Sequence, residues 1–180
     1  MTASVQDFLA NFTGGGARPN RYRVILTFPP LVPGTAAVAP KVAFTCRAAS
    51  IPTSNLGVCN VPYMGRTIKI PGDKQFDDWT VRILIDNDFA TRKAFESWHN
   101  SLLQFDLNTA APGMINPING FATAEVEQLD RYDQPIQTYT IEAMWPTTVG
   151  DIELAYDAND QVEEQTVTFA VNGWRSDVTT

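Results

Sequence analysis

The segment "DKQFDDWTVRILIDNDFATRKAFESWHN", residues 73–100, decides the fold class because the spacing of its apolar side chains changes partway through. Over residues 79–85, apolar side chains occupy every second position, which is the period of a strand with one buried face. Beyond Asp88 they recur at helical spacing, and the Asp88 carboxylate is placed to accept from the free N–H groups of the first turn. The segment therefore predicts a strand, a capped turn and an amphipathic helix. The apolar helix positions are Phe89, Phe95, Trp98 and Leu102.

An aromatic contact between this helix and the sheet is the main packing prediction. Phe95 and Trp98 lie on the apolar side of the helix, and Trp79 lies on the apolar side of the preceding strand. A surface helix of a globular protein buries its apolar side against the core. We therefore expect Trp79, Phe95 and Trp98 to form the core contact between helix and sheet.

The same segment contains several carboxylates and the only histidine, which are the usual parts of a metal or acid–base centre. Asp77 and Asp78 are adjacent, as are Glu163 and Glu164, so in a strand each pair points to opposite faces and cannot flank one substrate bond. His99 lies off the apolar stripe, and no second histidine exists to complete a common zinc site. The sequence therefore predicts neither a catalytic centre nor a metal site, and no cofactor.

The length and the cysteines indicate one cytoplasmic domain. At 180 residues the chain can bury a substantial core. Cys46 and Cys59 are its only cysteines and do not form a Cys-x-x-Cys motif, which favours reduced thiols but leaves a single bridge between them open. The start "MTASVQDFLANF" lacks the features of a signal peptide, and no segment has the ~20 apolar residues of a membrane span. We therefore expect a protein that is soluble where it is made.

The charge of the chain is acidic, with 20 Asp and Glu against 13 Lys and Arg and a formal net charge of −7. Affinity for phosphates comes from clustered Lys and Arg, and no such cluster is visible. The composition therefore disfavours a surface that grips nucleic acid, although it does not exclude contact with DNA.

The N-terminal region is predicted to be an arm, residues 1–19, attached to a barrel domain, residues 20–180. Ser4 to Phe12 fit a short helix with one apolar side, and Gly14 to Gly16 end it. No Gly-Lys-Ser/Thr follows the glycines, so we interpret them as a hinge and not as a phosphate loop.

The rest of the chain reads as many strands with one substantial helix. Pro and Gly in "DLNTAAPGMINPING", residues 106–120, predict a long irregular loop. This pattern predicts a mainly β fold, an antiparallel β-sandwich or barrel with one amphipathic helix and an N-terminal arm. The further predicted strands are Tyr22–Phe28, Val42–Ala48, Gly57–Tyr63, Arg66–Ile70, Phe121–Asp130, Gln137–Met144 and Val162–Val171.

Four segments, in this order, carry a resemblance to a known family. They are "RPNRYRVILTFP", "FTCRAASIP", "VPYMGRTIKIPGDKQFDDWTVRILIDNDFATRKAFESW" and "EVEQLDRYDQPIQTYTIEAMWPTTVGDIELAYDANDQVEEQTVTFAVNGW". From about Asn20 to Trp174 the chain resembles the tail tube proteins of contractile-tailed bacteriophages, which are related in fold to the type VI secretion tube protein. Where that family often has Phe-Pro, this chain has Trp145-Pro146.

The resemblance implies a non-enzymatic structural subunit of the virion tail. Such subunits form six-membered rings that stack into a hollow tube, and DNA passes through its lumen at infection. The implied partners are further copies of the chain, a sheath protein, baseplate and tail terminator proteins, and a tape measure protein followed by DNA in the lumen, bound without sequence specificity. The protein would be made and assembled in the cytoplasm of the host bacterium.

A fold of many strands with one helix would leave open sheet edges. An unpaired edge is a template for a strand of another chain, so such edges fit ring formation. Stacking requires a second, open contact, for which arms and loops are suited. We expect it from the arm, the Val58–Lys74 hairpin and the 106–120 loop. The inter-ring candidates are Phe8, Phe12, Pro62, Tyr63, Met64 and Arg66. The candidates for the lumen wall are Glu125, Glu127 and Glu142, which alternate with apolar or small residues.

Three other functions fit parts of the sequence. Glu125 and Glu127 lie on one strand face about 7 Å apart, near the carboxylate separation of an inverting glycosidase, but any solvated strand face has this pattern. A barrel that binds a small molecule would use the four tryptophans, which are more often core residues. A tube protein of another contractile machine, a type VI secretion system or a bacteriocin particle, remains open on the sequence alone.

Overall fold

The computed structural model describes residues 4–12, 16–157 and 159–179, in which strands predominate. The mainly β prediction is confirmed, and the sheet is antiparallel and barrel-like. None of the described helices is long and apolar enough to cross a membrane. The elements are α1 Val5–Asn11, β1 Tyr22–Thr27, α2 Ala39–Thr45, β2 Cys46–Ala49, β3 Ser54–Tyr63, β4 Arg66–Phe76, β5 Trp79–Leu84, α3 Ala90–Leu102, α4 Pro117–Gly120, β6 Ala122–Leu129, β7 Pro135–Val149 and β8 Glu164–Ser176.

Six strands form one sheet in the order β1-β6-β7-β8-β5-β2, and β3 pairs with β4 in a separate two-stranded hairpin. All neighbouring strands are antiparallel. The end of the sheet where β1 begins therefore also holds the turn between β6 and β7 and the base of the β3–β4 hairpin. We call it the arm end, because α1 precedes β1 there. The far end holds α2, the start of β6 and the loop after β7.

An aromatic cluster fixes α3 on the inner face of the sheet. Trp79 of β5 and Phe95 and Trp98 of α3 are all buried, and each contacts Phe169 of β8. The ring centroids of these three residues lie 5.7, 6.0 and 5.9 Å from that of Phe169. These separations are typical of favourable aromatic pairs. The segment from 79 to 102 thus folds as the predicted strand and helix, with its aromatic side chains in one core.

The strand predicted for Val42–Ala48 is wrong over its first half. Residues 39–45 form α2, with Pro40 in its first turn, and only Cys46–Ala49 form a strand. Proline is favoured in the first turn of a helix because the N–H group that it lacks would have no helical partner there. Val42 of α2 is buried in the core, so the side chain that suggested a strand packs the helix onto β1 and β5.

The cap of α3 and the 106–120 loop also differ from prediction. Phe89, with φ of 54°, occupies the N-cap position, and its side chain makes no capping bond. Asp88 still satisfies one free donor, since its carboxylate accepts from the N–H of Ala90 at 3.0 Å. In the loop, Pro117–Gly120 form the short α4, where the Asn116 side chain accepts from the N–H of Ile118. Local capping therefore produces a helical turn that Pro and Gly content alone argued against.

Candidate assembly and conduit surfaces

The helix of the arm, α1, exposes its whole apolar side. The Ser4 hydroxyl caps it by accepting from the N–H of Gln6 at 3.1 Å. The rings of Phe8 and Phe12, one helical turn apart, stack at 5.2 Å, yet 62% and 47% of these residues are exposed. No residue of α1 is buried. Of the predicted hinge, Gly14 and Gly15 lie outside the described residues.

The β3–β4 hairpin is the predicted pair, confirmed and longer than expected. Its register aligns Val61 with Ile68 and Cys59 with Ile70, so these side chains share one face. The neighbouring residues Thr67 and Lys69 lie on the other face. Nearly all residues of the hairpin are exposed, including its apolar ones. The hairpin is therefore an amphipathic ribbon whose apolar face has no partner within the described chain.

The tip of the hairpin holds four of the inter-ring candidates, and all four are exposed. Met64 and Gly65 have positive φ angles of 44° and 76°, and they form a two-residue turn between Tyr63 and Arg66. Positive φ at both central positions matches the right-handed twist of the strands that the turn joins. The turn thus presents Pro62, Tyr63, Met64 and Arg66 at the outermost point of the ribbon.

The base of the hairpin is tied to the barrel. The indole N–H of Trp174 donates to the carbonyl oxygen of Thr53 at 3.0 Å. The carboxylate of Asp77 accepts from the Thr53 hydroxyl at 2.7 Å and from the Asn55 amide at 2.8 Å. The ammonium group of Lys74 lies 5.6 Å from the Trp174 ring. Asp77 therefore has a structural role, because it binds two residues at the base of the hairpin, and Trp174 binds the same base to the barrel.

The three lumen candidates lie on the sheet face opposite to the core. Glu127 pairs with Arg23 of β1 at 2.6 Å, and Glu142 pairs with Arg175 of β8 at 2.7 Å. Glu125 has no ion-pair partner among the described residues. Three carboxylates and two guanidinium groups leave one net negative charge. This part of the face is therefore far less acidic than its glutamates alone suggest.

The acidic residues before α3 form an ion-pair cluster with a lysine of α2. The ammonium group of Lys41 lies 3.0 Å from the carboxylate of Asp86 and 2.6 Å from that of Asp88. Hydrogen bonds to Asp88 and Asp86 raise the pKa of Lys41, and the bond from Lys41, with that from the N–H of Ala90, lowers the pKa of Asp88. The cluster joins α2 to the turn between β5 and α3.

The residues considered for metal or ligand binding lie apart. In the part of the chain that the structure describes, no group of three or more His, Cys, Asp or Glu side chains could hold a metal ion. His99 is exposed. Trp79 and Trp98 are buried in the core, while Trp145 and Trp174 pack at its margin. Two of the four tryptophans that the rival small-molecule barrel would use are therefore core residues.

Both cysteines are free thiols, which answers the question that the sequence left open. Burial raises the pKa of Cys46 to about 11, whereas Cys59 is exposed on the hairpin. Cys46 is therefore a thiol at neutral pH.

A family described as "Phage tail tube protein" matches residues 17–177 of this chain. Tail tube protein gp19 of Enterobacteria phage T4 is 29% identical over 178 residues, covering 94% of this chain and 98% of the relative. A chain in the six-fold symmetrised baseplate of the anti-feeding prophage is 13% identical and covers 89% of this chain and 95% of its own, with a TM-score of 0.62. A chain in the sheath–tube complex of an extracellular contractile injection system is 13% identical, with a TM-score of 0.56. The match covers 97% of this chain and 98% of that one.

Proposed function

The chain belongs to the phage tail tube protein family, and we propose that it forms six-membered rings that stack into the inner tube of a contractile tail. The observation that carries the proposal is the match over residues 17–177, which spans every strand of the barrel. The relative in a six-fold symmetrised baseplate, which shares the fold, supports the ring number. In this role the protein is structural and not an enzyme.

Ring closure uses the two edges of the sheet. β1 and β2 are the edge strands, and each has one side that no other described strand pairs. An exposed edge of this kind binds another strand through its free N–H and C=O groups. The β1 edge of one subunit meets the β2 edge of the next, and a rotation of one sixth of a turn closes the ring.

Stacking uses the surfaces at the arm end. Both α1 and the β3–β4 hairpin leave the barrel there, and both expose apolar side chains that the described chain does not cover. Large apolar patches on a soluble chain mark interaction sites. In a stack of identically oriented rings, the arm end of one ring meets the far end of the next. This contact is heterologous and open, so it produces a tube instead of a closed particle.

The lumen is lined by the polar sheet face that carries Glu125, Glu127 and Glu142. Each ring has a formal charge of 6 × −7 = −42. The arginines of this face are paired with glutamates, so this part of the wall offers DNA no repeated set of unpaired cations that would hold its phosphates. Because Arg23 and Arg175 neutralise two of the three carboxylates, Glu125 provides the unpaired negative charge on this part of the wall. At physiological salt the screening length is about 8 Å, so repulsion acts at close approach and keeps the duplex centred.

The proposed partners outside the ring are a sheath protein, baseplate and terminator proteins, and a tape measure protein that precedes DNA in the lumen. The structural relative in a sheath–tube complex supports the first of these. Assembly takes place in the cytoplasm of the host bacterium. Neighbouring genes for a capsid and a terminase would distinguish a phage from another contractile machine.

The test is electron microscopy of the purified full-length chain, combined with light scattering over a concentration series. We expect six-fold rings or hollow tubes, and a scattering mass that rises with concentration. A chain that remains monomeric at all concentrations, both alone and with a tube-initiating baseplate complex, would refute the proposal.

A further inference from the structure

An apolar groove lies at the far end of the barrel, between β1 and α2. It encloses a volume of about 640 Å³, and none of the residues that line it is charged. The loop from Pro29 to Ala36 forms one wall, and α2 contributes Ala39 and Ala43. Sequence patterns do not indicate this groove, because residues 42–45 of α2 fit a strand equally well. A groove of this size and apolar lining is suited to a few large side chains.

The exposed side of α1 has the length and the apolar character to occupy this groove. α1 is a seven-residue helix about 10 Å long, and its apolar residues lie three or four positions apart. Together they cover one side of the helix, and none is buried. An apolar side without a partner and an apolar groove without an occupant are complementary surfaces. The four residues are Val5, Phe8, Leu9 and Phe12.

α1 does not occupy the groove of its own chain in this structure, since none of its residues is buried. The chain is anchored at the arm end, where the Gln128 amide donates to the carbonyl oxygens of Arg18 and Arg21 at 2.7 Å each. From Tyr22 the chain then runs about 10 Å to Ile25, the first residue that lines the groove, and about 20 Å to Phe28. The six residue steps from Phe12 to Arg18 also span at most about 20 Å when fully extended. Docking within one chain would thus require the tether to fold back along β1 toward the far end.

We propose that α1 of one subunit docks into the β1–α2 groove of a subunit in the adjacent ring. The two surfaces lie at opposite ends of the barrel, which is the arrangement that a head-to-tail stack of rings brings together. Each ring then receives six helices at its far end and contributes six at its arm end. This inference rests on the proposed function, because it requires stacked rings.

Site-directed cross-linking tests the inference directly. In a Cys59→Ser background, which removes the exposed native thiol, Leu9→Cys is combined with Ala43→Cys and assembled tubes are oxidised. We expect a ladder of covalent multimers on a non-reducing gel that continues beyond the hexamer, because an inter-ring contact does not close. Ala10→Cys with Ala43→Cys is the matched control, since Ala10 lies on the opposite side of α1, and it should form few cross-links.

The alternative outcomes separate the inference from the proposed function. A cross-linked monomer would show docking within one chain, and a ladder that stops at the hexamer would show docking within a ring; either result overturns the inference. Normal tubes without cross-links also overturn it while leaving the proposed function intact. Wild-type protein that makes neither rings nor tubes, alone or with a tube-initiating baseplate complex, would refute the proposed function and the inference with it.

A second pair of variants tests the same contact without cross-linking. Leu9→Asp places a charge on the docking side of α1, and Ala10→Asp places it on the opposite side. We expect Leu9→Asp to raise the protein concentration needed for tube formation by about tenfold or more, and Ala10→Asp to change it little. Equal effects of the two variants would overturn the inference. Both should melt like wild type, since α1 is exposed in the isolated subunit.

Discussion

The indole N–H of Trp98 donates a hydrogen bond of 3.1 Å to the carbonyl oxygen of Gly120. Trp98 is fully buried in α3, and Gly120 is the last residue of α4, separated from β6 only by Phe121. The bond therefore joins α3, which covers the core, to the last residues of the loop between α3 and β6. It also satisfies a backbone acceptor at a buried position, which would otherwise lack a partner.

Replacing Trp98 separates its packing from its hydrogen bond. Trp98→Ala should lower the free energy of unfolding by roughly 3 to 5 kcal/mol, because it removes a buried indole and leaves a cavity. Trp98→Phe keeps most of the apolar contact but leaves the Gly120 carbonyl unpaired, at a cost of about 1 to 3 kcal/mol. Urea denaturation of both variants measures these losses. An unchanged midpoint for Trp98→Ala would show that α3 is not docked on the sheet.

Gly120 is a position where any side chain would collide with the backbone. A Cβ atom there would overlap the carbonyl oxygen of Met114, so Gly120→Ala must displace main chain. Overpacking of this kind costs about 1 to 3 kcal/mol or more. Gly173→Ala is the matched control, since a Cβ there would meet nothing within 4 Å. Thermal denaturation should show a clearly lower melting temperature for Gly120→Ala and little change for Gly173→Ala. Equal melting temperatures would contradict the close approach of Gly120 to the Met114 backbone.

The two faces of the β3–β4 hairpin should differ in assembly. Ile68→Asp places a charge on the apolar face and should abolish tubes, whereas Thr67→Asp places it on the polar face and should permit them. Both residues are exposed, so each change should alter the unfolding free energy by no more than about 0.5 kcal/mol. Negative-stain microscopy counts the tubes, and circular dichroism checks the fold. Tubes from both variants would remove the apolar face from the stacking contact.

Charge reversal tests the assignment of the carboxylate face to the lumen. Glu125→Lys changes an unpaired charge, while Glu127→Lys also places a cation opposite Arg23. Virions with both changes should assemble but eject DNA more slowly, and ejection should recover partly at higher salt, which screens the added cations. Glu125→Lys alone should show a smaller effect of the same sign. An unchanged ejection rate would place the face outside the lumen, and a failure to assemble would place it at a subunit interface.

The Lys41 cluster should make stability depend on pH at both extremes. The pKa of Asp88 is lowered by folding, so its contribution is present above the unfolded pKa of about 3.9 and is lost as pH falls through the folded pKa. The pKa of Lys41 is raised, so its contribution is present below about 10.4 and is lost as pH rises through the folded pKa. The difference in urea midpoint between wild type and Lys41→Met should therefore be constant between these limits and shrink outside them. A difference that persists undiminished at about pH 2 would contradict the ion-pair account.

Local patterns in the sequence predicted most elements, because a period of two or of 3.6 is set by neighbouring residues. The alternation at residues 79–85 and the helical spacing after Asp88 both gave the correct element. The same reasoning failed for Val42–Ala48, where a short apolar run fits a strand and a buried helix equally well. Pro40 was the signal that could have identified the start of α2.

The sequence alone thus determined the fold class, the family and the aromatic residues that pack α3, because these depend on patterns along the chain. Tertiary structure alone decided which face of the sheet carries the glutamates of β6 and β7, and which residues lie next to them. Glu127 is paired with Arg23, which is 104 positions away, and no local pattern encodes such a contact. The groove between β1 and α2, and its position at the opposite end of the barrel from α1, likewise follow from strand order. Ion pairs and cavities depend on which distant segments the fold brings within a few ångströms of each other, whereas periodicity reports only which side of its own element a residue occupies.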